Sequence, residues 1–263
     1  MGVVAVVGVG KMGEAVLAGL VRSGRTVIGV EQVEARAAEI ADRYAIEVSA
    51  DLAAVARADV VLLVVKPNDL RATATALAAA LRPDALVVSL AAGIPTGVLE
   101  AHLPAGTAVV RVMSNTPALV GQAMSAASAG AHATAEHLAT VTDLLGPVGR
   151  VVVVPEDQQD AVTAVSGSGP AYVFRVVEAM VDAGVALGLP REVATELAQQ
   201  TLVGAAQLLA ASDQTPADLR RAVTSPGGTT AAALAVLEER GLGEAFVAAL
   251  TAARDRGAEL ARV

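Results

Sequence analysis

The chain has 263 residues, length enough for two domains, and carries a formal net charge of −8 from 19 basic and 27 acidic side chains. That balance argues against a polyanionic partner, so neither nucleic acid nor an anionic membrane surface is expected. Hydrophobic residues make up 54 % but aromatics only 2 %, and cysteine is absent, so the interior has to be built from Ala, Val and Leu, without a disulfide, a thiolate metal site or a cysteine nucleophile.

No apolar run approaches the roughly eighteen residues that cross a bilayer. The chain begins Met1-Gly2-Val3-Val4-Ala5, directly on an apolar segment with no basic run before it. No export signal is expected, and the cytoplasm is the expected location.

In chain order, residues 3–7 read as a buried strand and 13–22 as a helix. Residues 26–30 read as a second strand and 33–44 as a second helix. Residues 60–65 are an unbroken apolar run ending at Lys66-Pro67, as expected of a parallel strand buried on both faces. A helix over 69–81 and a strand over 85–90 follow, then the turn Ala91-Ala92-Gly93. Residues 109–113 and 150–154 are expected to add outer strands, with a helix over 132–145 between them. This alternation predicts an α/β fold with a doubly wound parallel sheet. From residue 158 onward only helical stretches are expected, so the domain boundary is placed at 156/157: an α/β domain over 1–156 and an all-α domain over 157–263.

Gly8-Val9-Gly10-Lys11-Met12-Gly13 fits G-x-G-x-x-G, follows a strand and opens a helix. In that setting Gly8 permits the tight turn, Gly10 lets the backbone approach a pyrophosphate, and Gly13 lets helix pack on strand. Glycines also mark plain turns, but this position favours a dinucleotide. Glu31 falls where the second strand ends, suited to accept hydrogen bonds from the adenosine ribose and to repel a 2′-phosphate. It could equally be a solvated loop residue, and Arg36 one turn on could instead neutralise a phosphate. NADH and NADPH therefore both stay open.

Val65, Lys66 and Pro67 end a buried strand on the edge where such sheets bind ligands, and their backbone is expected to line the nicotinamide ribose. The plainer reading is a helix start, with Pro67 stopping the strand and Asn68 or Asp69 as cap. Ala91, Ala92 and Gly93 end the next strand, and such small residues would let a nicotinamide ring lie against the main chain.

Two motifs mark the helical half. Ser166-Gly167-Ser168-Gly169-Pro170 interrupts a helical run, where Pro170 leaves a carbonyl unpaired and the glycines weaken the helix. A kink facing a site is expected, against the alternative of a structural bend with Ser hydroxyls bonded back to the main chain. Ser225-Pro226-Gly227-Gly228-Thr229-Thr230 makes a tight turn opening a helix, whose free amides suit a small carboxylate. Both lysines, Lys11 and Lys66, and all three histidines, His102, His132 and His137, lie in the first half. The helical half therefore offers no lysine or histidine base for oxidising an alcohol. A protonated imine needs none: it accepts hydride directly.

These segments together resemble the pyrroline-5-carboxylate reductase family essentially end to end. The most specific are Val165-Ser166-Gly167-Ser168-Gly169-Pro170-Ala171-Tyr172 and Thr224-Ser225-Pro226-Gly227-Gly228-Thr229-Thr230. Val64-Val65-Lys66-Pro67, Ala91-Ala92-Gly93-Ile94 and Asn115-Thr116-Pro117-Ala118 match in order and spacing. The resemblance implies a Rossmann-type domain binding NADPH or NADH and a C-terminal helical domain that dimerises, with dimers commonly assembling into decamers. It implies that Thr230 bonds the substrate ring nitrogen and that Ser225, Gly227, Gly228 and Thr229 surround the substrate carboxylate. It also places Ser166, Ser168 and Glu156 near the substrate, a small cyclic imino acid, with no metal. Lys11, Ser114 and Glu31 depart from the residues usual in the family. The implied reaction is reduction of L-1-pyrroline-5-carboxylate to L-proline, the last step of proline biosynthesis. The rivals are a 3-hydroxyacid dehydrogenase, which would want a lysine in the helical half, and a non-catalytic NAD(P)-binding regulatory protein.

Overall fold

The computed structural model describes residues 2–260. Its first part alternates β1 (Val4–Val7), α1 (Lys11–Arg22), β2 (Val27–Val30), α2 (Glu34–Tyr44), β3 (Glu47–Ser49), β4 (Val60–Leu63), α3 (Pro67–Ala78), β5 (Leu86–Ser89) and α4 (Thr96–Glu100). β6 (Val109–Met113), β7 (Ala123–Ala129), α5 (Ala135–Leu145) and β8 (Gly149–Val153) follow. The eight strands form one sheet in the order β3-β2-β1-β4-β5-β6-β7-β8. From β3 to β6 every pairing is parallel; β7 runs antiparallel to β6, and β8 parallel to β7. The chain reverses its direction of travel across the sheet between β1 and β4, which is where doubly wound sheets open a crevice at their carboxyl ends.

Alternation along each strand sends neighbouring side chains to opposite faces. Val4 and Val6 join Leu17 and Leu20 of α1 and Val141 and Leu144 of α5 in one core. Ala5 and Val7 join Leu70, Ala74 and Leu77 of α3 and Leu99 of α4 in the other. The central strands are therefore covered on both sides, which explains their unbroken Val and Leu runs.

Three local expectations change. The strand expected over 60–65 ends at Leu63, and α3 begins earlier than residue 69, with Lys66 as cap and Pro67 in the first turn. Proline fits there because its missing N–H is one the helix leaves unpaired anyway. The helix expected from residue 132 starts at Ala135, where the Thr134 hydroxyl and the His137 ring close a reciprocal cap. Most consequentially, residues 123–129, read as no element in the sequence, form β7 between the strands expected at 109–113 and 150–154, and β7 is antiparallel to β6 in a sheet expected to be parallel. Its sequence, Ala-Met-Ser-Ala-Ala-Ser-Ala, has little strand propensity. Burial and pairing on both sides make it a strand.

Downstream lie α6 (Gln159–Val162), α7 (Gly169–Ala186), α8 (Arg191–Ala211), α9 (Pro216–Ala222), α10 (Thr229–Glu239) and α11 (Leu242–Leu260), and among the described residues no strand follows β8. The chain forms two compact units. The sheet unit runs to Ser168 and takes the chain back from Ala253, whereas Gly169–Ala252 form a helical unit.

Within the helical unit α7 and α8 pack closely, a Cβ on Gly184 falling 3.0 Å from that of Ala194. Its buried core is thin: Val181, Ala194 and Ala198, with Val177 and Val185 against them. Meanwhile Phe174 is 62 % exposed and Val247 69 %. So much uncovered apolar surface on helices with so little core marks a surface built for association. No described helix is long and apolar enough to cross a membrane.

Candidate active site

The glycine turn sits between β1 and α1, at the crevice. Gly8 adopts φ +88, open to glycine at no cost. A Cβ there would lie 2.7 Å from the Val64 carbonyl oxygen, and one on Gly13 would lie 2.0 Å from that of Gly8. At Gly10 a Cβ would meet nothing within 4 Å. Two glycines thus serve the protein's own packing, and the third keeps clear the space in front of α1. No side chain caps that helix at Gly10, so its first amides remain available to an anion. A pyrophosphate group fits this cradle. Val9 is wholly buried, Met12 packs into the core and Lys11 is exposed; the Val9 N–H and carbonyl are both engaged within the protein, by Glu31 and Arg36.

Glu31 is turned toward this loop: its carboxylate accepts from the Val9 N–H at 3.2 Å and from the Val33 N–H at 3.0 Å. It borders a cleft of about 400 Å³ that also includes Gly8, Gln32, Val65, Lys66 and Asp69. Arg36 is fully engaged. Its Nε donates to the Val9 carbonyl at 2.9 Å, and its two terminal nitrogens pair with Glu39 at 2.7 Å and with Glu14 at 2.5 Å. Glu14 also receives Arg43 and the Tyr44 hydroxyl.

Burial alone would raise the Glu14 pKa, but the hydrogen bonds from Arg36, Tyr44 and Arg43 outweigh it and hold the carboxyl below its ordinary value near 4.5. A carboxyl depressed by folding stabilises the native state above its unfolded pKa, and that contribution is lost as pH falls through the folded value. The thermal midpoint should therefore drop more steeply below about pH 4.5 in the natural protein than in Glu14→Gln. Parallel pH slopes in a calorimetric series would remove Glu14 from this role.

On the other side of Lys66-Pro67 lies a second cleft of about 640 Å³, lined by Pro67, Asn68, Ala92, Gly93, Ile94 and Asp160 among others. Gly93 turns the chain at φ +77. The two clefts lie on either side of Lys66-Pro67, Glu31 and Gly8 bordering one, Pro67, Ala92 and Gly93 the other.

Beyond β8, Ser166 and Gly167 of the Ser-Gly-Ser-Gly-Pro motif close a π-helical turn over Thr163–Gly167, Ser168 bends the chain, and Gly169 and Pro170 begin α7. Pro170 has no N–H for the Ser166 carbonyl one turn back, which accepts from the Asn115 side chain instead. Ser168 donates its backbone N–H to the Thr163 carbonyl at 2.9 Å. A Cβ on Gly167 would fall 2.3 Å from Met113 Cε, so a larger residue there would make the methionine tip swing aside. The Asn115 amide, 8 % exposed, holds the turn: Nδ2 donates to the Ser166 carbonyl at 3.1 Å and reaches its Oγ at 3.3 Å, while Oδ1 accepts from Met124 N–H at 3.0 Å. Asn115-Thr116-Pro117 was visible in sequence as a motif, but nothing local shows what its amide grips.

Glu156 stays within the sheet unit, where one oxygen accepts from the Thr96 N–H and the other from its hydroxyl, both at 2.7 Å. In the helical unit, Ser225-Pro226-Gly227-Gly228 is a type II turn: Pro226 takes the second position, Gly227 has φ +69, and Gly228 N–H closes onto the Ser225 carbonyl at 3.0 Å. Gly228 then caps α10 with no side-chain hydrogen bond, and Thr229 and Thr230 are its exposed first residues. Among the described residues no cluster of His, Cys, Asp or Glu could hold a metal ion.

A doubly wound sheet with this glycine turn at its crossover, followed by an all-helical unit, has the architecture of a nicotinamide-dependent oxidoreductase of the Rossmann type. The family model described as pyrroline-5-carboxylate reductase dimerisation matches residues 156–260, and that described as NADP oxidoreductase, coenzyme F420-dependent, matches 3–93. The pyrroline-5-carboxylate reductase of Mycobacterium leprae is 45 % identical over 282 residues, covering 98 % of this chain and 96 % of its own. The solved structure of a pyrroline-5-carboxylate reductase from Coxiella burnetii superposes with a TM-score of 0.95 at 34 % identity, covering 99 % of this chain and 98 % of that one. That of Plasmodium falciparum pyrroline carboxylate reductase with NADP bound gives 0.85 at 26 % identity, covering 99 % and 98 %. The chain belongs to the pyrroline-5-carboxylate reductase family.

Proposed function

We propose that this chain reduces L-1-pyrroline-5-carboxylate to L-proline, the last step of proline biosynthesis, in the cytoplasm. The observation that carries the reading is the type II turn at Ser225–Gly228 opening α10 onto uncapped amides and two threonine hydroxyls. Amides there hold the substrate carboxylate, each such bond to a charged acceptor contributing roughly 1.5–3 kcal/mol. Ser225, Gly227, Gly228 and Thr229 shape that pocket, and Ser166 and Ser168 border the substrate. Thr230 receives the N–H of the protonated ring and so aligns the C=N bond. No proton has to be removed, which suits a helical half lacking lysine and histidine.

Gly8, Gly10, Lys11, Met12 and Gly13 hold the pyrophosphate with Val9 fixing the loop, Glu31 the adenosine ribose, Val65 and Lys66 the span between the two clefts, and Pro67, Ala91, Ala92 and Gly93 the nicotinamide half. When bound there, the reduced nicotinamide supplies a hydride to the imine carbon, giving the secondary amine and the oxidised dinucleotide. The helical domain pairs two chains, and dimers assemble further to a decamer.

NADH serves at least as well as NADPH. A 2′-phosphate beside the Glu31 carboxylate is repelled, and Arg36 is committed to Val9, Glu14 and Glu39. Steady-state kinetics with pyrroline-5-carboxylate and each cofactor test both statements. We expect Glu31→Ser to shift the ratio of kcat/KM toward NADPH by about tenfold. Failure to oxidise either cofactor would overturn the activity, and an unchanged ratio would overturn the role of Glu31 alone.

A further inference from the structure

Arg111 is the one charged residue in the core among the described residues, 4 % exposed in the middle of β6. It lies in register with Ser89 on β5 and Ser128 on β7, so the three side chains leave the same face of the sheet. Ser128 in turn meets the wholly buried Gln159 amide at 2.7 Å. A polar layer thus crosses an otherwise apolar sheet, and an apolar sheet needs none for stability.

Its partners show what it does. Arg111 Nη1 lies 3.7 Å from Glu156 Oε1, and Nη2 lies 3.8 Å from Asp160 Oδ1. Burial pushes the guanidinium pKa down and the two carboxylates push it back. Glu156, held by that charge, spends both oxygens on Thr96. Thr96 is the first residue of α4, three past Gly93, and is itself 4 % exposed. At the other end of the same turn, the Ala91 N–H donates to Ser89 Oγ at 3.3 Å. The segment from Ala91 to Thr96 is therefore held at one end by Ser89 and at the other by Glu156, which Arg111 faces as an ion pair, and Asp160 lines the cleft alongside it.

We propose that Arg111 and Glu156 are positioning residues that set the nicotinamide side of the cofactor cleft through Thr96. The proposal rests on reading that cleft as the dinucleotide site. Glu156 then acts on the cofactor wall and is not a substrate contact. A small displacement of this wall misaligns the reacting carbon without disturbing the adenosine half.

The test compares Thr96→Val, which deletes the hydroxyl and keeps the shape, with Thr96→Ser, which restores it, and with Arg111→Met. Three quantities are read on the full chain: affinity for ADP-ribose, which lacks the nicotinamide; affinity for NADH; and kcat and KM for pyrroline-5-carboxylate. We expect Thr96→Val to keep its ADP-ribose affinity and thermal midpoint while NADH binding and kcat each fall roughly tenfold, with KM for the imine little changed. Thr96→Ser should recover both, and Arg111→Met, if it folds, should repeat the Val pattern. Unchanged NADH binding and kcat in Thr96→Val would overturn the proposal. So would equal losses for ADP-ribose and NADH, which would indicate a merely structural part. Wild-type protein that binds neither nucleotide would instead overturn the reading of the cleft.

Discussion

Replacing Gly10 with valine is expected to leave the protein folded, with its thermal midpoint unchanged, and to lower its affinity for NADH by a factor on the order of 100. The backbone at Gly10 has φ −65 and ψ −169, a conformation any residue adopts, and a Cβ there meets nothing within 4 Å. The added methyls would occupy only the space in front of the uncapped α1 amides. Gly13→Ala is the contrasting variant. Its Cβ would fall 2.0 Å from the Gly8 carbonyl oxygen, forcing α1 away from β1 at a cost of about 1–3 kcal/mol or more. That variant should lose midpoint and cofactor affinity together. Calorimetry and NADH titration of the two proteins check the pair. A Gly10→Val protein with unimpaired NADH binding would remove the pyrophosphate from this loop.

Thr230→Val should leave NADH affinity intact and lower kcat/KM for pyrroline-5-carboxylate by about ten- to a hundredfold. That is the loss of one hydrogen bond to a charged group, roughly 1.5–3 kcal/mol. Valine keeps the shape and removes only the hydroxyl. Thr230 is exposed at the start of α10, so the folded chain should not register the change. Because Thr230 aligns the C=N bond, the loss should fall mainly on kcat, whereas weakening the carboxylate amides of the same turn would raise KM. Unchanged kcat in Thr230→Val would take Thr230 out of the reaction.

The two predictions concern motifs that are both legible in sequence. The Gly8–Gly13 loop reads directly from its letters, because each glycine answers a local steric demand. Yet the letters do not say which glycine serves the fold and which the ligand. That distinction comes from Val64 and from the Gly8 carbonyl, which stand against Gly8 and Gly13 and leave Gly10 open. The Ser225–Gly228 turn is equally readable, since Pro at the second position and Gly at the third specify a type II turn with no help from elsewhere. β7 was not readable. Its Ala and Ser side chains carry no strand signal, and only pairing with β6 and β8 makes them a strand.

Arg36 and Arg111 show the same division among charges. In sequence Arg36 is a plausible phosphate ligand one turn past Glu31; in the fold it belongs to Glu14, Glu39 and the Val9 carbonyl. Arg111 has no local signal, being one basic residue in a strand of valines. Its meaning depends on Glu156 and Asp160, dozens of positions downstream.

Short-range chemistry alone settles where the chain turns, which faces of its strands and helices are apolar, and that its helical half must work without a lysine or histidine. These follow from steric and solvation preferences acting within a few residues, so they survive in the linear order of letters. Packing decides the rest: which carboxylate meets which guanidinium, which glycine faces empty space, and how small residues become a strand. Those outcomes are set by groups far apart along the chain that only the folded sheet brings within hydrogen-bonding range.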